Sequence, residues 1–329
     1  MSLQGISVVI PNYNGRILLP IVIPTVQKAL LQTSLPCEII LSDDCSTDDS
    51  VQSIKMLFPE VVLIVNEQNL GFSSTINRGI RQAKYRYVLL MNNDVKLEQD
   101  YFIHQLRYFD RADTFGVMGR IIGWDNVKIQ DGAKYPRYHG CKIKTNGNYI
   151  SQNPQKDHWL PSIYLSGANA LIDRDKLLKL GGFNELFSPF YVEDYELSIR
   201  AWRLGWKCYY EHFSVCRHAE SITIKSKSSK KFIRTVYNRN KMFLHALHLN
   251  GYNLVCWHIQ LIGEVLLYSI VGKFYYLKSF IQYLSKTKEV VRSRKRLSSL
   301  INDDQKLLDI NKVFRSVQKT IEQYPVKKF

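Results

Sequence analysis

The sequence predicts an α/β fold with an open, mostly parallel sheet and flanking helices, followed by a helical C-terminal region. Three observations predict it: four short apolar runs, helix-length segments between them, and a change of pattern near residue 225. The runs are unbroken rather than alternating, which is typical of strands buried on both faces of a parallel sheet. They are Ile6–Pro11, Glu38–Asp43, Val61–Asn66 and Tyr87–Met91.

The segments between these runs are long enough to be crossover helices. They are Leu18–Gln32, Ser50–Phe58 and Ser73–Ala83. Strands that alternate with helices in this way favour a doubly wound sheet.

The character of the chain changes at about Lys225. Residues 226–231 are predicted to form a linker or exposed loop, and no β pattern follows them. We therefore divide the chain into a catalytic domain, residues 1–224, and a basic helical region, residues 225–329. The predicted helices of the second region are Phe232–Leu249, Leu254–Lys286 and a basic helix from about Val290.

Nearly all of the excess positive charge lies in the C-terminal region. The 329-residue chain has a formal net charge of +16, and residues 225–329 contain 21 Lys and Arg but six Asp and Glu. This asymmetry indicates an anionic partner for that region, either nucleic acid or an acidic membrane surface.

The apolar run Leu254–Tyr276 favours the membrane, because it is long enough to span a bilayer. An ionised Glu264 in hydrocarbon would be costly, so we expect a helix lying in the membrane interface. Trp257, Tyr275 and Tyr276 would flank it, and the basic run Arg292–Arg296 would add electrostatic attraction. The alternative is that these helices pack on the catalytic domain or on a second subunit, as in a homodimer.

Six cysteines are scattered along the chain without a C-x-x-C pair, which gives a zinc site little support. No basic segment precedes the first predicted strand, so we expect no signal peptide and a cytoplasmic protein with reduced thiols.

Polar residues gather where three of the predicted strands end. They are Pro11–Asn14, Asp43–Asp44 and Asn92–Asp94. Ligands of open α/β sheets bind beyond the carboxyl ends of the strands, so these clusters predict one shared crevice. Asp94 could bind a hard divalent cation there, or could be a turn residue that caps the strand.

Two further groups are candidates for chemistry. Glu193 and Asp194 begin an amphipathic helix and could supply the base that deprotonates an acceptor hydroxyl. Their position is also explained by the helix dipole alone. His218 follows a strand-like run and is either a metal ligand or a buried, hydrogen-bonded side chain.

The short sequence motifs at these positions, and their order along the chain, resemble those of the family 2 glycosyltransferases with the GT-A fold. They are most similar to the rhamnosyltransferase-like branch of that family. The resemblance runs from Ile6 to about Ser221. Its blocks are Val8–Gly15, Ser42–Asp48, Asn66–Phe72, Asn77–Gly79, Asn92–Asp94, Ser166–Ala168, Gly181–Glu185, Glu193–Arg200 and His218.

The resemblance implies roles for individual residues. Asp94 matches the metal ligand of the family's D-x-D motif, whose first carboxylate is replaced by Asn92, and His218 matches a histidine that completes the metal site. Asp194 matches the general base, with Glu193 beside it. The implied nucleotide-sugar contacts are Pro11, Asn12, Asp43, Asn69, Gly71, Asn77, Asn92 and Asn93. Ile76 stands where many relatives have an arginine, so no diphosphate contact is assigned to it.

The resemblance implies an inverting, Mg²⁺- or Mn²⁺-dependent transfer of a single sugar, with rhamnose as one candidate. The donor would be a UDP- or dTDP-linked sugar, and the acceptor a glycan or lipid-linked hydroxyl in cell-surface polysaccharide synthesis. The Gln-x-x-Arg-Trp motif of processive synthases is absent from the expected region. We expect an enzyme on the cytoplasmic face of the membrane and no nucleic-acid partner.

Two other functions compete with this one. A nucleotidylyltransferase would need a glycine-rich phosphate loop after the first strand, where the chain has Asn12–Arg16 with one glycine. A non-enzymatic protein that binds anionic polymers would use the basic region, but would leave Asp94 and Asp194 without a purpose.

Overall fold

The computed structural model describes residues 3–155, 157–219, 229–301 and 306–329. These residues form a ten-stranded central sheet, a three-stranded sheet and ten α-helices. The strands are β1 Leu3–Asn12, β2 Cys37–Asp43, β3 Val62–Val65, β4 Tyr85–Met91, β5 Val95–Leu97, β6 Thr114–Gly123, β7 Ile129–Asp131, β8 Ala133–His139, β9 Lys142–Ser151, β10 Leu160–Pro161, β11 Asn169–Asp173, β12 Lys207–His218 and β13 Val326–Lys328. The helices are α1 Leu19–Leu31, α2 Ser50–Leu57, α3 Phe72–Gln82, α4 Arg174–Leu180, α5 Glu193–Arg203, α6 Lys230–His248, α7 Gly251–Ile270, α8 Phe274–Ser285, α9 Thr287–Ser298 and α10 Ile310–Ile321.

The predicted fold class is confirmed. The four predicted strands are parallel neighbours in the order β4-β1-β2-β3, joined by α1, α2 and α3. Val8, Ile40 and Leu89 are buried, as expected for strands covered on both faces. The register places Asn12 of β1 beside Asp43 of β2, so both strands end at one edge.

The second half of the central sheet is mixed. Strand β11 runs antiparallel between β4 and β6, and β12 then pairs with β6 in parallel. Strand β5 pairs antiparallel with the end of β12, which returns His218 to the edge where β4 ends.

The C-terminal helices share a hydrophobic core with the catalytic domain. Phe243 of α6, Trp257 of α7 and Phe314 of α10 belong to the same buried cluster as Val9 and Phe187. A buried polar contact adds to this packing, because His248 lies 3.5 Å from Glu196 of α5. The predicted domain boundary falls among residues 220–228, outside the described residues, as do residues 226–228 of the predicted linker. The linker prediction was wrong at its end, because Lys230 and Lys231 begin α6.

Three expectations for the C-terminal region were wrong. The predicted helix Leu254–Lys286 is two helices, because Gly272 adopts a left-handed φ of +72° and the Lys273 amide then donates to the Tyr268 carbonyl. Strand β13 pairs antiparallel with β9, although no β pattern is visible in so short and basic a segment. Trp257 and Tyr276 are buried in the core rather than available as membrane anchors.

Candidate active site

A chain of amide and carboxylate side chains joins the ends of β1, β2 and β4. The Asn12 amide donates to Asp43 at 2.7 Å, and the Asn93 amide donates to the Asn12 oxygen at 2.8 Å. The three predicted polar clusters therefore meet at one edge of the sheet. Asn12, Asp43 and Asn93 are buried, whereas Pro11 and Asn92 are partly exposed at the crevice.

The Asp43 carboxylate is fully buried and its oxygens are occupied by the chain itself. It accepts hydrogen bonds from Asn12, from the Ser46 amide at 2.8 Å and from the Ser46 hydroxyl at 2.6 Å. These bonds fix the loop after β2. A contact between Asp43 and a nucleotide base stays a prediction.

Asp44 shapes the neighbouring loop and was not predicted as a functional residue. Its oxygens accept from the Leu70 and Gly71 amides at 2.7 and 2.9 Å and from the Asn66 side chain at 2.9 Å. The loop therefore keeps Asn69 exposed beside the strand ends. The signal in the sequence was the Asp43-Asp44 pair, but the partners of Asp44 are more than 20 residues away.

Gly71 makes a close approach that only glycine permits. Its φ is +82°, and a Cβ there would lie 3.1 Å from the Pro189 Cα. The Phe72 amide also donates to the Pro189 carbonyl at 3.1 Å. The predicted donor loop therefore touches the segment that leads to Glu193.

The side chain of Asn77 forms its hydrogen bonds with residues outside this crevice. Its oxygen accepts from the Phe183 amide at 2.8 Å, and its amide donates to the Phe183 carbonyl and to Glu185. Asn77 thus joins α3 to the turn after α4, and these bonds occupy its polar groups. Its predicted contact with the nucleotide-sugar stays a prediction.

Asp94 and His218 come together across the β5–β12 pair. His218 Nε2 lies 3.4 Å from Asp94 Oδ1, and the Ala219 amide donates to the Asp94 carbonyl at 3.0 Å. Asp94 Oδ1 is buried and accepts no hydrogen bond from the described residues. A carboxylate oxygen without a donor beside an imidazole nitrogen suits a divalent cation.

This pair alone would leave such a cation incompletely coordinated. Within the described ranges, no group of three His, Cys, Asp or Glu side chains could hold a metal ion. A cation held by Asp94 and His218 would therefore keep positions for ligand oxygens and water.

Glu193 and Asp194 begin α5 after a constrained turn. Tyr191 and Val192 both adopt φ values of +76°, which is unusual for any residue and most of all for a β-branched one. Strained backbone of this kind persists where surrounding contacts fix it and is common at functional sites. Here the fixing contact comes from α6, because the buried Asn240 amide donates to the carbonyls of Phe190 at 3.0 Å and Tyr191 at 2.8 Å.

The two carboxylates differ in accessibility. Asp194 is partly exposed, and it accepts from the Gly167 amide at 3.3 Å and from the Tyr195 amide at 2.7 Å. Glu193 is buried, and its Oε2 accepts no hydrogen bond from the described residues. Burial, then repulsion by Asp194, raises the pKa of Glu193 to about 8. Burial also raises the pKa of Asp194, against the backbone amides that lower it.

The turn 166–168 connects this end of the site with the Asp94 end. Gly167 donates to Asp194, and the carbonyl of Ala168 accepts from the Asn92 amide at 3.4 Å. The candidate base and the candidate metal motif are therefore bonded to the same three-residue turn.

Lys134 of β8 is a buried cation near Asp194 that the sequence did not single out. It contacts Asp131 and donates to the Asn148 side chain at 2.7 Å. Burial lowers the pKa of Lys134 to about 7, while the Asp194 carboxylate acts against that shift. A lysine between Ala133 and Tyr135 of a β-strand gives no local signal of this contact.

The fold and the paired carboxylate sites define the GT-A class of protein. The solved structure of GalNAc-T7 with UDP, GalNAc and Mn²⁺ is similar over 98% of this chain and 58% of that chain, with 16% identity and a TM-score of 0.68. The structure of S. aureus TarS 1–349 with UDP-GlcNAc is similar over 97% of this chain and 92% of that one, with 15% identity and a TM-score of 0.52.

The signature of glycosyl transferase family 2 matches residues 7–181, more than half of the chain. The protein belongs to glycosyl transferase family 2. It is 27% identical over 207 residues to the N-acetylglucosaminyl-diphospho-decaprenol L-rhamnosyltransferase of Mycobacterium tuberculosis, covering 55% of this chain and 66% of that enzyme. It is 23% identical over 240 residues to the putative teichuronic acid biosynthesis glycosyltransferase TuaG of Bacillus subtilis, covering 64% of this chain and 88% of that protein. The chain thus spans slightly less than two thirds of the mycobacterial relative.

Proposed function

We propose that this protein transfers a single sugar from a nucleotide diphosphate sugar to a hydroxyl of a glycan or lipid-linked acceptor. The observation that carries the proposal is the shared turn 166–168, which holds Asp194 through Gly167 and the Asn92–Asp94 segment through Ala168. This connection supports a base for the acceptor and a cation site for the donor at one crevice. Family membership makes this function the first choice over nucleotidyl transfer or polymer binding.

Asp94 and His218 are proposed to hold Mg²⁺ or Mn²⁺. When bound, the cation offsets the charge that develops on the departing nucleotide diphosphate. The unpartnered Asp94 oxygen fits that role, and the GalNAc-T7 structure contains Mn²⁺ beside UDP. Asn92, partly exposed next to Asp94, is available to hydrogen bond with the donor.

Asp194 is proposed to take the proton of the acceptor hydroxyl as that oxygen attacks the anomeric carbon, with inversion. Its greater exposure favours it over Glu193, which lies behind it. A raised pKa makes a carboxylate a stronger base, and the two backbone amides fix its direction.

The mycobacterial and Bacillus relatives support a sugar acceptor in cell-wall polysaccharide synthesis, and the former supports rhamnose as one candidate sugar. We propose a UDP- or dTDP-linked donor. UDP and UDP-GlcNAc occur in the GalNAc-T7 and TarS structures.

The direct test incubates the purified protein with Mn²⁺ and a panel of UDP- and dTDP-sugars, with and without a lipid-diphosphate sugar acceptor. We expect release of nucleotide diphosphate and a product one sugar larger, and loss of both in Asp94→Ala. Donor binding in thermal-shift assays would identify the base and sugar, because a ligand of the native state raises its apparent stability. Failure of every donor to bind would contradict the proposal.

We also propose that α7 lies on the inner face of the cell membrane. Among the described helices, it alone is long and apolar enough to span a bilayer, and only 17% of its apolar window is buried. Large apolar side chains cover its outer face: Tyr252, Val255, Ile259, Ile262, Leu266 and Ile270 are all more than half exposed.

The polar residues of α7 face the protein instead. Gln260 accepts from the Cys141 amide at 2.8 Å, while Glu264 contacts Lys142 and accepts from the Tyr276 hydroxyl at 2.6 Å. The cost of placing Glu264 in hydrocarbon therefore does not arise, and the apolar face is free to enter the acyl boundary. A lipid-linked acceptor would lie at that surface.

Flotation with anionic vesicles tests this placement. Ile259→Glu together with Ile262→Glu should abolish flotation, whereas Ile103→Glu, at a half-exposed position of the catalytic domain, should not. A stable detergent-free dimer that ignores vesicles and dissociates in the double variant would assign the face to a homodimer instead.

A further inference from the structure

A cavity of about 760 Å³ lies between the catalytic domain and the C-terminal helices. One wall is formed by α3 and the turn after α4, and includes Arg81, Gly181 and Glu185. The opposite wall is one face of α9, with Arg292 and Arg296. Of the residues given motif-based roles above, Asn77 lines this cavity, and its polar groups are occupied by Phe183 and Glu185.

The cavity is separate from the candidate active site. Asp94, Asp194 and His218 do not line it. Helix α3 begins with Phe72 beside the crevice, and Arg81 is nine residues further along, which corresponds to about 13 Å of helix. A ligand here would therefore bind on the flank of the catalytic domain.

The cavity carries an excess of positive charge, because its lining includes Glu185 and Glu289 but also Lys286 and five arginines, Arg81, Arg200, Arg239, Arg292 and Arg296. Among the described residues, Arg81, Arg292 and Arg296 form no ion pair, whereas Lys286 is paired with Glu289 at 3.1 Å. Glu185 is engaged with the Asn77 amide at 3.0 Å. Three guanidinium groups thus remain to bind an anion, and guanidinium is the side-chain group best suited to phosphate.

The backbone leaves room for these groups. Gly181 has a φ of +78°, and the Arg296 guanidinium occupies the space that a Cβ would fill. On the same side, the Ser188 hydroxyl oxygen is buried without a hydrogen-bond partner among the described residues. An additional donor is therefore present at the cavity wall.

The remaining wall is apolar, and the volume is too large for an inorganic anion. Leu186, Phe243 and Leu297 line it. Volumes of roughly 300–1,000 Å³ are typical of organic ligands. Leu284 of α8 and Val291 of α9, close in sequence to the lining residues Lys286 and Arg292, are about half exposed. The ligand should combine an anionic group with an apolar body.

We infer that this cavity binds the phosphate group of a lipid at the membrane surface, between the arginines of α3 and α9. The inference rests on the membrane association proposed above and not on the sugar-transfer chemistry. The lipid phosphate could belong to a phospholipid of the bilayer or to an isoprenoid phosphate, and the arms of the test distinguish the two.

The test measures binding of the full chain to phosphatidylcholine vesicles that contain phosphatidic acid, an isoprenoid phosphate or neither. Arg292→Ala with Arg296→Ala removes two cavity cations, and Lys288→Ala with Lys295→Ala removes the same charge from exposed positions of α9 outside the cavity. If only general attraction to an anionic surface acts, the two double variants should lose vesicle binding to a similar extent. Specific phosphate binding should weaken the arginine pair by about tenfold more than the lysine pair.

The variant Arg81→Ala provides an independent test of the same site. Arg81 is exposed on the wall formed by the catalytic domain, and it forms no ion pair among the described residues. The variant should also weaken phosphate-lipid binding without changing the melting temperature. A preference for one doped vesicle that disappears in the arginine variants identifies the source of the phosphate. Equal losses in the arginine and lysine pairs would overturn the inference.

The outcome is independent of catalysis. A wild-type protein that does not discriminate between the vesicles but turns over donor normally would refute only this site. Retained discrimination in a protein that binds no nucleotide-sugar would refute only the transferase proposal.

Discussion

The two groups of acidic residues at the crevice differ in how far the chain itself satisfies them. Asp43 and Asp44 accept hydrogen bonds at all their oxygens, and they fix loops. Asp94 and Glu193 each keep a buried oxygen that accepts no hydrogen bond from the described residues. A saturated carboxylate stabilises the fold, whereas an unsaturated one remains available to a cation, a proton or a substrate.

The largest expected effect follows from Asp94. Asp94→Ala should reduce transfer to background while the melting temperature of the ligand-free protein stays close to that of the wild type. The Asp94 Oδ1 atom accepts no hydrogen bond from the described residues, and it is proposed to hold the cation. Metal titration of donor turnover provides the measurement, with His218→Ala expected to weaken the metal response more mildly. Near-normal turnover of Asp94→Ala at saturating Mn²⁺ would place Asp94 among the structural carboxylates.

Asp194→Asn keeps the size and the amide contacts of the side chain but removes its basicity. The transfer rate should fall by roughly 10²–10⁴ at unchanged donor affinity. Single-turnover kinetics and donor titration separate the two quantities. If donor affinity collapsed while the rate held, Asp194 would be a helix-capping residue, and Glu193 would become the candidate base.

Asp44→Ala should act on stability rather than directly on chemistry. It leaves the Leu70 and Gly71 amides without their charged acceptor, at a cost of about 3 kcal/mol in the free energy of unfolding. Urea denaturation measures this cost. Asp125→Ala, at a position exposed to solvent, should change stability by less than about 0.5 kcal/mol. Equal effects of the two variants would contradict the distinction between saturated and exposed carboxylates.

Glu193 gives the smallest effect and a pH dependence of defined sign. Its pKa is raised to about 8 in the folded protein, so the folded state retains a proton that the unfolded state loses above about pH 4.5. The contribution of Glu193 to the free energy of unfolding is therefore greatest at low pH and declines as the pH rises toward about 8. Above about pH 8, this group lowers the stability no further.

The wild type should lose about 2 kcal/mol more than Glu193→Gln between pH 5 and pH 7. Denaturation curves of both proteins across that range are the measurement. If the stabilities of the two proteins changed with pH in parallel, Glu193 would be ionised in the folded state, and the expected pH dependence would be refuted.

The sequence predicted the parts of the molecule that depend on local pattern. Strand β1 was expected over Ile6–Pro11 and is Leu3–Asn12, and helix α3 was expected over Ser73–Ala83 and is Phe72–Gln82. Asp94 and His218 were assigned to one site by resemblance, and the structure brings them within 3.4 Å of each other.

What the sequence could not predict depends on distant contacts. Strand β13 exists because β9 offers it an edge, and Lys134 is important only because folding buries it near Asp194. Hydrophobicity identified α7 as apolar, but not which face would be covered. Only the packing of Trp257 and Glu264 against the protein shows that the exposed face is the apolar one.

The close approach of Gly71 to Pro189 fixes the distance between the proposed donor loop and the segment that leads to the proposed base. Exchange of the segment 183–192 between relatives, in an attempt to change the acceptor, would succeed only if the replacement kept the same span to Gly71. A chimera that lengthened this segment would separate nucleotide from base while leaving every motif intact. The geometry of one glycine therefore limits which parts of this enzyme can be recombined.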